Sequence, residues 1–409
     1  MDDYSELSYN LTKIISKDDK KNNGIYFTNP KTIIKNLNFL EPYMKEVKTV
    51  LEPSCGSCEY LRLLTEKYQH LDITGIEYNK TIFCSIKDLG MDIELFNEDY
   101  LLYKSTIKYD LIIGNPPYYV MKKKVIDPFY YEYFDGRPNI FILFIIKSLG
   151  LLNEDGILSF VLPRNFLNCI YYDKTRKYIS NNFKILNILE CGEKYIETKQ
   201  ETIILILKKT EPDTSKRSDF ILDIDKYTIF GLTKNINKIK TLRSNSSSLK
   251  ELGFVVNIGN IVWNNYKTEL TDDIEKTRLI YSSDIKSKKL IMQKYSNKDK
   301  KNYIDRQGRK GPLLIVNRGY GVGKYTFDYC LLDGNFEYLI ENHLICIKYN
   351  RGDITDDEEL KKIYEKIIKS FDLCKTLEFI ELYFGNNAIN TAELYEILPI
   401  YEIRCLLGL

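Results

Sequence analysis

Tryptophan occurs once and histidine twice in the 409 residues. His70 and His343 lie far in sequence from the single Cys-x-x-Cys, Cys55 to Cys58. With no second such pair, a structural zinc site lacks its roughly four ligands, and no metal is expected. Nine cysteines, an odd number, are scattered along the chain without a secretion signal: the opening MDDYSELSYN is polar and acidic. This pattern fits free thiols in a reducing compartment, so a cytoplasmic, non-secreted protein is expected. An excess of charge is also missing. There are 59 Lys and Arg against 57 Asp and Glu, a net charge of +2. That excludes a uniformly cationic nucleic-acid coat but leaves room for a local basic groove. No apolar run approaches the roughly 18–20 residues that cross a bilayer. What is present is a globular composition, 44% hydrophobic and 28% charged, long enough for two or three domains.

After a polar opening and a helix over Lys31–Leu40, a strand–helix rhythm begins. Strands are predicted at Lys48–Glu52, Asp72–Glu77, Asp92–Phe96, Tyr109–Gly114, Gly156–Leu162, Lys184–Glu190 and Thr202–Lys208. Helices are predicted between several of them, including Thr81–Leu89 and Ile140–Leu152. Short apolar strands alternating with amphipathic helices imply an α/β, doubly wound, mostly parallel sheet. In such sheets ligands bind beyond the C-terminal strand ends. The polar run 209–219 marks a domain boundary, giving domains 1–212 and 213–409. The second domain is expected to be α+β, with short strands and one long helix from a Thr355/Glu358 capping box to about Phe384.

The turn after the first strand, Glu52-Pro53-Ser54-Cys55-Gly56-Ser57-Cys58, is neither a dinucleotide fingerprint nor a phosphate-binding P-loop. Its small residues would let a nucleoside approach the backbone at a helix N-terminus. Glu77 ends the second strand, where a carboxylate can take two ribose hydroxyls, and Asp99 follows the third, where it can accept from an adenine amino group. An acidic rim of Glu52, Glu77 and Asp99 suits a cationic nucleoside without phosphates, and S-adenosylmethionine fits that description. The sharpest signal is Asn115-Pro116-Pro117-Tyr118 at the end of the fourth strand. An exocyclic adenine amine is a poor nucleophile because its lone pair is delocalised. The Asn115 side-chain oxygen and the Pro116 carbonyl can accept its two hydrogens and return density to nitrogen. The prolines fix that carbonyl, and Tyr118 offers a flat face for an extruded base. Its hydroxyl is expected to be dispensable.

With these motifs in order, the chain resembles the gamma-class adenine-N6 DNA methyltransferases of type II restriction–modification systems. The resemblance runs through GIYFTNP (24–30), LEPSCGSCEYL (51–61), GIEYN (75–79), NEDYL (97–101), DLIIGNPPYYV (110–120) and LSFVLPRNFL (158–167). Beyond 208 it rests on arrangement and short echoes such as TAELYEILPI (391–400). It implies a class I S-adenosylmethionine-dependent methyltransferase fold followed by a DNA-recognition domain. It also implies site-specific methylation of a flipped adenine in double-stranded DNA by a monomer, and leaves room for a cognate restriction endonuclease. By the same resemblance, Tyr26, Phe27 and Thr28 lie against the cofactor's methionine end, and Glu52, Ser54 and Gly56 form its loop. Glu77 holds the ribose, Asp99 and Tyr100 hold the adenine, Phe144 packs on the cofactor, and Tyr195 is a second aromatic against the flipped base. Cys58 stands where the family more often has glycine, and Tyr60 where it has phenylalanine.

In the second domain, residues 286–310 hold ten Lys or Arg and two Asp, interleaved with tyrosines. Lys298, Lys300 and Lys301 are candidate phosphate contacts. Arg318, in NRGYGVGK, is a candidate for guanine or phosphate. Trp263 is either a groove or a core anchor. Two enzymatic alternatives stand beside this reading. One is a release-factor-type glutamine N5-methyltransferase, which typically has little chain after the catalytic fold. The other is an RNA adenine-N6 methyltransferase.

Overall fold

The computed structural model describes residues 4–192, 195–198, 200–212, 217–318, 326–350, 352, 356–384 and 388–401. They form two compact units, Met1–Ile236 and Asn237–Leu409.

The first unit opens with three helices, α1 (Glu6–Ile14), α2 (Lys17–Asn23) and α3 (Pro30–Leu40). Then come β1 (Thr49–Glu52), α4 (Glu59–Lys67), β2 (Asp72–Ile76), α5 (Lys80–Ile86), β3 (Glu94–Phe96) and β4 (Tyr109–Gly114). The unit continues with α6 (Ile140–Leu151), β5 (Leu152–Pro163), α7 (Asp173–Asn182), β6 (Lys184–Cys191) and β7 (Thr202–Lys208). The seven strands make one sheet in the order β3-β2-β1-β4-β5-β7-β6. All neighbours through β5 are parallel, while β7 is antiparallel to both β5 and β6. The expected doubly wound α/β sheet is therefore present.

Strand alternation divides the core between the two faces. Leu51, Ile112, Leu158, Phe160 and Leu205 pack on one side with α6. Val50, Leu111, Ile113, Ile157 and Ile204 pack on the other with α3 and α4. Helix α6 is apolar around most of its circumference, as a helix buried on most sides must be, with half-buried Lys147 as its one charged residue. Strand parity matters for function. With β7 reversed, β6 runs in the direction of β4, so the β6–β7 connection carrying Tyr195 emerges at the same sheet end as the Asn115 loop.

The first unit runs past the boundary expected at 212. The hairpin Ile221–Ile224/Tyr227–Phe230 is tied to α7 by the fully buried Arg176. Its Nε donates to the Thr228 carbonyl at 2.5 Å, and its Nη1 donates to the carbonyls of Phe166 and Cys169. Asp173 Oδ1 accepts the Thr228 N–H at 2.7 Å.

The second unit holds an antiparallel four-stranded sheet in the order Phe254–Ile258, Leu344–Tyr349, Leu313–Asn317, Tyr329–Leu332. A second sheet combines Leu270–Thr271, Tyr303–Ile304, Thr277–Ile280 and Tyr338–Ile340. The long C-terminal helix expected from 355 to 384 is two helices, Asp357–Phe371 and Cys374–Phe384. The break falls at Asp372, whose carboxylate is held by Lys288 and by the Tyr329 hydroxyl. Thr355 lies outside the described residues. The first of these helices is capped by Asp356, whose carboxylate accepts the Glu359 N–H at 3.0 Å.

Candidate active site

The loop after β1 is tightly folded. The Cys55 N–H reaches the Ile76 carbonyl, and the Cys58 N–H closes a turn onto the Cys55 carbonyl at 2.7 Å. Cys58 sits at φ +61°, a left-handed conformation that favours glycine. Glycine's frequency there in the resembled family thus has a backbone reason. Glu77 locks this loop: one carboxylate oxygen accepts the Gly56 N–H at 2.9 Å and the other accepts the Asn79 N–H at 2.6 Å. Burial raises the Glu77 pKa to about 7, against the lowering effect of those two donors.

A cavity of about 180 Å³ opens at the C-terminal strand ends. Tyr26, Phe27, Ser54, Gly56, Glu77, Asp99, Tyr100 and Phe144 all line it, and so do Asn115 and Pro117 from the loop after β4. Ten of the expected residues thus come together from six chain segments. Tyr100 and Phe144 pack on each other at 4.8 Å between ring centroids, with the Tyr100 hydroxyl 2.8 Å from Ser148. No Lys or Arg is among the described residues that line the cavity.

Two expected cofactor residues do not line it. Thr28 is buried behind the wall. Glu52 is 3% exposed, and its Oε2 has no hydrogen-bond partner among the described residues. Burial, reinforced by Cys58, Glu77 and Glu59, pushes its carboxyl well above the usual range. Gly114, at φ +149°, lies against it: a Cβ there would come within 3.2 Å of Glu52 Cγ.

Asn115 is held on three sides. Its Nδ2 donates to the Tyr26 carbonyl at 3.3 Å, its backbone carbonyl accepts the Ser54 hydroxyl at 3.2 Å, and its Oδ1 accepts the Tyr118 hydroxyl at 2.6 Å. The Tyr118 hydroxyl also lies 2.7 Å from the Val161 carbonyl, and its ring meets Phe141 edge-on at 5.9 Å. The hydroxyl expected to be dispensable is thus engaged by two acceptors. Tyr195 is buried, with its hydroxyl 3.1 Å from Thr202 Oγ1, and lies near enough to Tyr118 to help raise that phenol's pKa.

Sequence reasoning missed the N-terminal contribution. Ser8 donates to Glu59 at 2.7 Å and lies 2.8 Å from Ser57, and Ser5 also reaches Glu59, fastening α1 to the cofactor loop. Buried Lys20 in α2 pairs with Glu197 at 2.7 Å. Gly24, at φ +65°, ends α2 directly against the catalytic loop, where a Cβ would sit 2.5 Å from the Tyr118 nitrogen. The signal was present: Ser16 caps α2 by accepting the Asp19 N–H, and the helix stops at a glycine.

In the second unit the candidate lysines differ. Lys300 is half-buried, its ammonium 4.0 Å from the Tyr295 ring centroid and 4.1 Å from that of Tyr281. Trp263 stands 5.9 Å away, and burial lowers the Lys300 pKa. Lys301 is paired with Asp272. Lys298 is exposed. Arg318 is half-buried, its N–H reaching the His343 carbonyl at 3.3 Å, while the loop 319–325 lies outside the described residues. Among the described residues no group of three metal-ligating side chains occurs, and no helix is long and apolar enough to cross a membrane.

Residues 11–196 match the Eco57I restriction-modification methylase family. Along nearly the whole chain, the sequence is similar to modification methylase CviBIII of Paramecium bursaria Chlorella virus NC1A, at 27% identity over 98% of this chain and 100% of that protein. Type II methyltransferase M.CvrRI of Paramecium bursaria Chlorella virus XZ-6E is 26% identical over 97% of this chain and 99% of its own length. Type II methyltransferase M.AccI of Acinetobacter calcoaceticus is 28% identical over 42% of this chain and 34% of its own.

Proposed function

We propose that the chain is a type II restriction–modification methyltransferase, a reading supported by its similarity to such enzymes, and that it methylates N6 of an adenine extruded from duplex DNA, using S-adenosylmethionine. One observation carries this reading above others: the Asn-Pro-Pro-Tyr loop forms part of the wall of the cavity whose acidic side is Glu77 and Asp99.

The residues present fit this cofactor. Among the described residues the cavity wall has carboxylates, aromatic rings and small loop residues but no Lys or Arg, so it suits a nucleoside without phosphates. Behind it, Glu52 keeps a buried oxygen unpartnered, and a bound ammonium would favour the ionised form of this carboxyl that burial otherwise disfavours. Glu77 would take the ribose hydroxyls and Asp99 the adenine amino group. Tyr26 and Phe27 would face the methionine end, backed by buried Thr28, with Ser54 and Gly56 forming the floor and Tyr100 and Phe144 packing beside the base. When bound, the cofactor supplies an electrophilic methyl group on a sulfonium.

Asn115 and the Pro116 carbonyl then do the orienting. Accepting the two N6 hydrogens favours a pyramidal nitrogen whose lone pair is available. No base has to remove a proton first, because the methylated amino cation is acidic and releases its proton afterwards. Tyr118 and Tyr195 stack on the extruded ring, each contributing roughly 1–3 kcal/mol. In the second unit, Lys298 and Arg318 contact DNA, with Lys300 and Lys301 shaping the same surface.

Expression in a methylation-deficient host followed by long-read modification mapping tests the proposal. The expected result is N6-methyladenine confined to one short DNA sequence. Unmodified DNA together with a methylated protein glutamine would transfer the assignment to the release-factor-type reaction. Methylated cytosine would overturn the adenine assignment.

A further inference from the structure

Between the catalytic loop and α6 the chain makes a lobe, residues 120–138. Both its legs are fixed at the cavity. The Met121 N–H reaches the Pro138 carbonyl and the Ile140 N–H reaches the Tyr119 carbonyl, each at 2.9 Å, with Val120 and Asn139 bridged between them. Tyr119 and Ile140 are themselves part of the cavity wall. The lobe has an internal frame: Tyr131 donates its hydroxyl to the Lys123 carbonyl at 3.0 Å, and the Lys123 ammonium lies 4.5 Å over that ring. Asp127 caps the following turn by accepting the Phe129 N–H at 2.9 Å.

Lys122, Lys123 and Lys124 are consecutive and exposed. Among the described residues none of them forms a salt bridge. The lobe's three acids are engaged elsewhere, Asp127 in its cap, Glu132 with the Tyr133 hydroxyl, and Asp135 with Lys174 at 2.7 Å. The contrast with Lys300 and Lys301 is plain, since those are caged or paired. Lys123 rests on one ring, but among the described residues no carboxylate neutralises any of the three; consecutive ammonium groups repel one another, and such an arrangement is relieved by an anion. Lys122 follows Tyr118 by four residues, a reach of at most about 14 Å. An extruded nucleotide stays bonded to its strand, so its neighbouring phosphates remain near the catalytic loop. Val120, Val125 and Phe129 stand at least 60% exposed beside these charges, apolar surface suited to sugar or base edges.

We propose that the lobe 120–138 is a second DNA contact, its Lys122–Lys124 run holding phosphates of the strand that carries the target base. This rests on the DNA methyltransferase reading. It places phosphate positioning on the catalytic unit itself, next to the reacting base.

The test compares wild type with the triple variant Lys122→Gln, Lys123→Gln, Lys124→Gln. The probe is a random-sequence duplex, titrated between about 50 and 200 mM salt. The expected result is a decrease of roughly 2–3 in the slope of log affinity against log salt. Thermal unfolding and calorimetric cofactor affinity should match wild type, and Lys123→Arg should keep the wild-type slope. An unchanged slope in the triple variant, beside a salt-dependent wild type, overturns the proposal. So does a variant whose cofactor affinity falls while its slope is kept, because the lobe would then only shape the cavity. If Val125→Ser with Phe129→Ser splits a sedimenting dimer and leaves DNA binding intact, the patch belongs to a second copy and the proposal is also wrong. A wild type that neither binds duplex DNA nor methylates host DNA rejects the methyltransferase reading, and this proposal with it.

Discussion

The Tyr118 hydroxyl donates to the oxygen of Asn115 that is proposed to accept an adenine hydrogen, 2.6 Å away. A phenol has one proton, and the Val161 carbonyl at 2.7 Å competes for it. Tyr118 therefore has two duties, a face for stacking and a hydroxyl that aims Asn115. Tyr118→Phe should keep base capture and lose the aim. At about 0.5–1.5 kcal/mol per neutral hydrogen bond, kcat should fall roughly 2- to 12-fold. Tyr118→Ala should also weaken base capture by roughly 1–3 kcal/mol, measured as reduced 2-aminopurine brightening at the target position. Asn115→Ala should lower kcat by on the order of a hundredfold or more, with calorimetric cofactor affinity near wild type.

Cofactor affinity should depend on pH through Glu77. Its carboxyl is raised from 4.5 to about 7, with burial as the main cause. The folded chain therefore holds this proton more tightly than the unfolded chain does. That stabilising contribution is complete below about 4.5 and is lost as pH rises through about 7. Ribose hydroxyls donating to the carboxylate favour the ionised form, so binding should release a proton. Affinity should fall by up to about tenfold per pH unit below 7. Calorimetry across that range checks it. Glu77→Gln should be weaker and flatter, and a flat wild-type profile would remove Glu77 from the site.

Gly24→Ala should damage both stability and rate. Alanine in the left-handed region costs roughly 1–2 kcal/mol, and its Cβ would press on the Tyr118 nitrogen. The expected drop is about 2–8 °C in melting temperature together with a reduced kcat. A variant with wild-type kcat would show that the catalytic loop does not lean on α2.

The basic stretch of the second unit should not behave as three equal lysines. Lys298→Gln should flatten the salt dependence of DNA binding by about 0.9. Lys300→Gln removes the ammonium that lies over the Tyr281 and Tyr295 rings and should lower stability more than it alters the slope. Anisotropy titrations and thermal melts on the two variants separate these effects. Equal slope changes would mean that Lys300 leaves its aromatic surroundings to meet DNA.

Much of the first unit was legible because its signals are local. Apolar runs such as Tyr109–Gly114 give buried parallel strands, and Glu77 and Asn115 stand at strand ends where ligands bind. What escaped depends on contacts distant in sequence. Ser8 meets Glu59 across 51 residues, and Lys20 meets Glu197 across 177. Nothing in the polar N-terminal stretch announces those partners. The apolar spacing of the C-terminal helix survives the break, while the contacts found at the break, Asp372 with Lys288 and Tyr329, are tertiary. Lys300 reads as a phosphate ligand by composition, and only packing shows it among tyrosines.

The seven-residue helix α2 touches both halves of the proposed base-capture site. Gly24 at its end abuts Tyr118, and Lys20 at its middle ties down the segment two residues past Tyr195. In a mutational scan scored by protection of host DNA, intolerance would therefore appear at position 20, where no catalytic motif lies. A lysine that binds neither cofactor nor base would register as essential because it holds one jaw of the site to the hinge of the other.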